Sequence, residues 1–434
     1  MKHIYPYRII AALVLLLDLS VRADGDNVYV QTNLVASNDS YGAQIVDHTI
    51  IDAWGIALRP PGAGGHIWFS NAMAGTSTEY IGDVNGIPLH QDGLKTVTIN
   101  TGQFADRGVA FVTGQAYNAA SDFSNQADEF IVSGAAHDLS TSPPVPIGNT
   151  SGPAKFVFVT EDGTINAWRS NTAAAMDIAP VMIDYSKTAT FPYAANSVFS
   201  GVALTSHAVP LAQQNNPQAG NHLFATDFRN NAIEVIDNQW HDVTATYSFQ
   251  TPASVGDLHP FNIMDLGGHL FVTYAKWNPD GDEGFEDLPG YGHLVEYNED
   301  GSLLKDFNDG GQLNSPWGMA IAPDTFGAFA NDVLVANFGD GTIAAFDPAS
   351  GNFLDQLRDT DGQPISIDGL WGLTFGNGVS LGDANALYFT AGPNFEQEGL
   401  FGRINGVPEP SSLAVMGLVI TLFTKRGYSP SRAR

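Results

Sequence analysis

Apolar residues come in short runs along this chain, rich in aromatic and β-branched side chains, with Gly, Pro, Asn and Asp between them. Such period-two patterning predicts strands joined by tight turns rather than helices. The clearest series is Ser315-Pro316-Trp317-Gly318-Met319-Ala320-Ile321-Ala322, then Val333–Asn337, then Ile343–Asp347. A related series runs from Asp52 through Trp54-Gly55 to Leu58 and on to His66–Ala72. Another runs from Gly369 through Trp371-Gly372 to Phe375 and on to Ala386–Gly392. Further copies start at Asp106, Ser200 and His259.

Four of the five intervals between these starts are 54 to 59 residues; the interval from Asp106 to Ser200 is 94. In that longer repeat the pattern places the innermost strand at Asp106–Val112 and the next at Asp128–Ser133. Polar insertions fall at 114–126 and 137–152, and the repeat resumes over Lys155–Trp168. A strand-only unit near this period predicts a radial array of four-stranded sheets, a β-propeller. The sixth repeat lacks one strand, and Val28–Val35 has no partner nearby in sequence. Donating it to the sixth repeat would close the ring and remove an open edge. The expected fold class is therefore all-β: a six-bladed β-propeller over residues 27–405, closed by an N-terminal strand.

Composition adjusts this picture mainly at the ends. Glycine (46) and proline (24) suit many turns, and the absence of cysteine excludes disulfides, thiol nucleophiles and Cys-ligated zinc. Residues 1–23 read as a signal peptide: Lys2 and Arg8 precede an apolar run, and Val21-Arg22-Ala23 offers a small-residue cleavage site at Ala23. At the other end, Val407-Pro408-Glu409-Pro410 precedes the apolar stretch Leu413–Thr424 and then Lys425-Arg426. This order of parts over 407–434 resembles the PEP-CTERM sorting signal of Gram-negative bacteria. The resemblance implies an apolar sorting helix and removal by an exosortase-type membrane enzyme, after signal peptidase has acted at the N-terminus. A simple C-terminal transmembrane anchor is the other reading. The expected address is the cell surface or extracellular matrix, with membrane contact only through the C-terminal helix.

The formal net charge is -28, and 11 of the 18 Lys and Arg lie outside the two end segments. A surface this acidic repels nucleic acid and anionic membrane.

Several stretches resemble an uncharacterised family of bacterial exported propellers that often carry PEP-CTERM tails. They include Asn33-Leu34-Val35, Phe158–Trp168, Pro260–Ile263, Asn314–Pro323, Asn337–Gly341 and Asp368–Asn377. More distantly the units look like NHL and gluconolactonase-type six-bladed propellers. That relation implies a fold and no activity.

The starts of the innermost strands are expected to line one mouth of a central channel. They carry Asp52, Asp106, Arg107, His259, Asn262, Ser315 and Asp368. Asp52, Asp106, Asn262 and Asp368 are the candidate ligands for a hard cation such as Ca²⁺. In gluconolactonase-type propellers such a metal polarises the substrate carbonyl. His259 is the candidate general base. The acidic loop 280–287 faintly resembles a calcium loop but lacks EF-hand spacing. Trp54, Trp317 and Trp371 read as packing between blades, with a ligand-stacking ring as the alternative. The Asn337–Gly341 turn reads as hairpin chemistry. No serine-hydrolase elbow, His-Glu-x-x-His or phosphate-cradling loop is present. Two functions follow: a non-catalytic binding platform for surface polysaccharide or protein, or a Ca²⁺-dependent, lactonase-like hydrolase or lyase working in the central channel.

Overall fold

The computed structural model describes residues 27–407, apart from 62–63, 102–107, 123–128, 139–140, 142–144, 172–173, 186–196, 206–220 and 279–283. The architecture is all-β and propeller-like. Six sheets, antiparallel except for one outer parallel pair in the first and one in the sixth, each begin with an inner strand: Ala53–Ala57, Val112–Tyr117, Phe199–Leu204, His259–Leu266, Pro316–Ile321 and Leu370–Phe375. Each inner strand lies against the next, and Leu370–Phe375 lies against Ala53–Ala57. The later strands of each repeat follow outward in chain order. Among the described residues there are 3₁₀ turns but no α-helix.

Glycine explains how six backbones approach so closely. A Cβ on Gly55 would sit 2.6 Å from the Thr113 carbonyl oxygen, and one on Gly114 would sit 2.9 Å from Gly201. A Cβ on Gly318 would meet the Trp371 carbonyl at 2.3 Å, and one on Gly372 the Trp54 carbonyl at 2.8 Å. Gly201 faces Asn262 in the same way, so the series passes around all six strands. Asn262 is the one residue of the series with a side chain; its Nδ2 donates to the Trp317 carbonyl at 2.8 Å.

Every inner strand also carries a register shift against its neighbour. In three of them the shift brackets the Trp-Gly pair: Trp54-Gly55, Trp317-Gly318 and Trp371-Gly372. A bulge re-aims the residue it contains. Here it directs the indoles to a common centre while the glycines face the adjacent strand. Trp54 stacks on Trp371 with ring centroids 3.7 Å apart, and both lie 6.1 Å from Trp317. Phe111, Phe228, Phe261 and Phe285 complete this buried aromatic cluster. The centre is therefore packed with indole and phenyl rings, where the sequence suggested an open channel. Packing between sheets supplies the remaining cores.

The second repeat differs from the sequence expectation. Its inner strand is Val112–Tyr117, with Thr113-Gly114 in place of Trp-Gly, and its next strand is Phe156–Thr160. Polar side chains obscured it, yet they are satisfied inside: Thr113 Oγ1 donates to the Phe199 carbonyl at 2.7 Å, and Gln115 Oε1 accepts from Ser77 Oγ at 2.7 Å. Ile131–Asp138, expected within the sheet, instead pairs with Val145–Pro153 and Ala174–Met176 in a separate small sheet.

Tyr29–Ala36 pairs antiparallel with Leu400–Gly406, from Tyr29 opposite Gly406 to Ala36 opposite Leu400. Tyr29 also reaches the fifth sheet, its amide donating to the Arg358 carbonyl at 2.8 Å and its hydroxyl to the Phe326 carbonyl at 3.0 Å. The signal-peptide and sorting segments, with Ala23, Pro408, Glu409 and Pro410, lie outside the described residues. Val407, the first residue of the sorting motif, is described, and its amide donates to the Val28 carbonyl at 2.9 Å. No helix among the described residues is long and apolar enough to cross a membrane.

Candidate functional site

The described strand starts Asp52, His259, Ser315 and Asp368 lie on one side of the aromatic centre, in different environments. Asp52 is fully buried, with φ 53°, and its Oδ1 accepts from Trp371 Nε1 at 3.0 Å. Ser315 is also buried with φ 45°, and Gly369 stands at the matching place in the sixth repeat with φ 64°. Asp368 is therefore one residue out of step with Asp52; it is exposed, and its Oδ2 accepts from the Asn394 amide at 2.9 Å. Asn262 is buried within the strand His259–Leu266, three residues after His259, and donates to the Trp317 carbonyl. His259 is half-buried, with Nδ1 2.6 Å from the Phe228 carbonyl. Asp106, Arg107 and residues 279–283 of the acidic loop lie outside the described residues. Nearby, burial raises the Asp287 carboxyl, with Ser315 opposing and Asp340 adding to the rise.

On the other side of the aromatic centre is a cavity of about 710 Å³, lined by the later halves of the inner strands. Its wall is largely apolar, including Leu58, Leu204, Met264 and Leu373, with Asn262 and Trp317 also lining it.

A more polar cavity of about 610 Å³ opens between the first and second sheets. Arg59 lines both cavities, with its guanidinium 5.2 Å from the Tyr117 ring centroid. The floor is aromatic: Trp68 packs on Phe156 and Trp168 with centroids 5.0 and 5.1 Å away. Three cations line the walls, Arg59, Lys155 and Arg169. Lys155 Nζ donates to Ser121 Oγ at 3.0 Å, while Arg169 Nε has no hydrogen-bond partner and burial lowers its pKa.

The same cavity holds His66 between two carboxylates. Nδ1 lies 3.0 Å from Glu79 Oε2, and Nε2 lies 2.7 Å from Asp92 Oδ1. Glu79 sits opposite Trp68 across the Ile67–Asn71 and Thr76–Tyr80 strand pair and is 1% exposed. Burial, reinforced by Asp92, pushes its carboxyl up to about 9. Asp92 comes from the following loop and is exposed. These three residues were not candidates in the sequence. Their signal was a lone Glu inside the strand Thr76–Tyr80, flanked by Thr78 and Tyr80, with His66 just before the paired strand Ile67–Asn71.

No family model matches the chain. An uncharacterised protein of Acanthamoeba polyphaga mimivirus is 27% identical over 378 residues, covering 86% of this chain and 79% of its own length. A second from the same virus is 27% identical over 381 residues, covering 86% and 85%. These relatives are viral, whereas the sequence resemblance points to bacterial exported proteins. Among solved structures, a catalytically inactive virginiamycin B lyase from Staphylococcus aureus with quinupristin matches at TM-score 0.42 and 11% identity, covering 87% of this chain and 99% of that one. An α-L-arabinofuranosidase of Fusarium graminearum with arabinobiose matches at TM-score 0.43 and 9% identity, covering 82% and 96%. Likenesses at this level transfer no chemistry to this chain.

Proposed function

We propose that this protein is an exported six-bladed propeller, closed by its N-terminal strand, that acts as a binding platform at the cell surface or in the extracellular matrix. Its ligand is an acidic saccharide chain, held in the cleft between the first and second sheets. The observation that carries this reading is the placement of charge. Of the 11 Lys and Arg outside the end segments, Arg59, Lys155 and Arg169 line this single cavity. Elsewhere the acidic surface repels anions, whereas here three cations outnumber the one exposed carboxylate, Asp92, so this is where an anion can sit. Arg and Lys can hold sugar carboxylates, and Ser121, Ser170 and Asn171 on the wall suit hydroxyls.

Signal peptidase would release residues 1–23 and an exosortase-type enzyme the segment 407–434. Intact-mass analysis of the protein from its native envelope tests this; a full-length mass would sink it. The Ca²⁺-dependent hydrolase or lyase reading, built on Asp52, Asp106, Asn262 and Asp368 with His259 as base, has less support. Asp52 and Asn262 are engaged with Trp371 and Trp317.

The binding test is calorimetry with an oligogalacturonate and a neutral oligosaccharide of equal length. Only the acidic ligand should bind, and the double substitution Lys155→Met, Arg169→Met should weaken it on the order of tenfold or more. Equal binding of the two sugars, or none of either, would refute the reading.

A further inference from the structure

We infer that His66, Glu79 and Asp92 form a binding site for a divalent transition-metal ion of the Zn²⁺ or Mn²⁺ kind. Among the described residues, this is the group of His, Asp and Glu side chains whose ligating atoms, one from each, all lie within 4.8 Å of one another. The 3.0 Å between His66 Nδ1 and Glu79 Oε2 is the separation of two adjacent ligands each about 2.1 Å from an octahedral ion. A second observation points to a ligand independently. Glu79 is 1% exposed, lines the cavity, and its Oε1 has no hydrogen-bond partner. A buried carboxyl oxygen without a partner is costly unless something fills its coordination.

The other His–carboxylate pairs lack this combination. His137 pairs with Asp177, His241 with Asp237 and His269 with Glu296, one acid each. His293 faces Asp306 at 2.6 Å and Asp309 at 3.9 Å. The Asp309 carboxylate, however, already accepts from the amides of Gly311 and Leu313. At His66 the ligands differ in freedom. Glu79 is fixed within its strand, its amide donating to the Lys95 carbonyl at 3.0 Å. Asp92, exposed on a loop and now at His66 Nε2, would turn away from that nitrogen to join an ion held at Nδ1.

A mixed imidazole and carboxylate set favours borderline first-row ions over Ca²⁺ or Mg²⁺. Three protein ligands beside an open cavity leave positions for water or an incoming oxygen. A ligand carboxylate in the cleft would find both the ion and the three cations. That extension rests on the saccharide reading above; metal binding itself does not.

The test uses the full chain, stripped with chelator, and measures Co²⁺ by its absorption spectrum and Zn²⁺ by calorimetry, without any saccharide. One equivalent should bind, and Ca²⁺ should not compete at equal concentration. Asp92→Asn and His66→Ala should each weaken binding at least tenfold. The exposed position of Asp92 keeps that variant folded, which an unchanged metal-free melting curve verifies. Lys155→Met with Arg169→Met should bind metal as the wild type does, so a failure of the saccharide reading stays separable. No metal binding by the wild type, or binding undiminished in both ligand variants, overturns the inference.

Discussion

Asp52 holds a backbone conformation that ordinarily favours glycine, while its carboxylate receives the Trp371 indole N–H. The two roles pull in opposite directions and can be separated. Asp52→Ala should lose about 2–4 kcal/mol, because it strands a buried donor and keeps the strained backbone. Asp52→Gly should retain about 1 kcal/mol more than Asp52→Ala, since glycine relieves the left-handed strain. Urea titration of both variants checks the order; equal losses would refute it. The sequence showed Asp, Ser and Gly at the three matching starts but not their shared positive φ, which is a property of the bulge that follows.

Glu234 gives a residue-scale prediction about pH. It is 4% exposed, accepts from Thr244 Oγ1 at 2.8 Å, and burial with Asp227 and Asp242 nearby pushes its carboxyl up to about 7. Its folded pKa thus exceeds the unfolded one, so the folded state binds more protons between about pH 4.5 and 7. Stability from this group is present below that window and falls as pH rises through it. Glu234→Gln should flatten the fall, by on the order of 2 kcal/mol between pH 5 and 8, in denaturant midpoints measured across that range.

At the scale of the element, the bulged inner strand is the unit that is copied. Trp-Gly was legible as a repeat because the pair recurs two residues after the starts at Asp52, Ser315 and Gly369, each time ahead of a second strand. Its purpose was not legible, since the strand pattern does not say which residue turns to the centre and which to the neighbour. The second repeat shows the limit: Thr113-Gly114-Gln115 has the glycine but no aromatic, so its strand read as insertion. The site at His66 stayed hidden for a related reason. Its three residues are one strand position, the residue just before another strand, and one in a loop, and one repeat alone has them. Glycine is the more telling half of the pair. Gly318→Ala and Gly372→Ala drive a methyl into neighbouring backbone and should cost more than about 3 kcal/mol or prevent folding. Gly93→Ala, which meets nothing within 4 Å, should change stability by less than about 0.5 kcal/mol. Thermal melts of the three variants make the comparison.

For the whole molecule, cohesion must come from packing between sheets and from the pairing of Tyr29–Ala36 with Leu400–Gly406, as there is no disulfide. Removing residues 27–37 would strip the outer partner from Leu400–Gly406 and leave an open strand edge. Such a truncated protein should elute as aggregate in size-exclusion chromatography, while one beginning at Asn27 should elute as a discrete folded species. The overall plan was legible because a repeat constrains everything at once. The filled centre was not, because strand-start residues can be aligned from sequence without knowing how far in they sit.

The pairing of Tyr29 with Gly406 also sets a timetable. The first strand to be synthesised has its partner among the last, so the final contact cannot form while the chain is still emerging. Loop closure over such a separation is slow compared with local hairpins. Until then the nascent protein remains a string of sheets without their last mutual contact. Locking comes only once Leu400–Gly406 has been made.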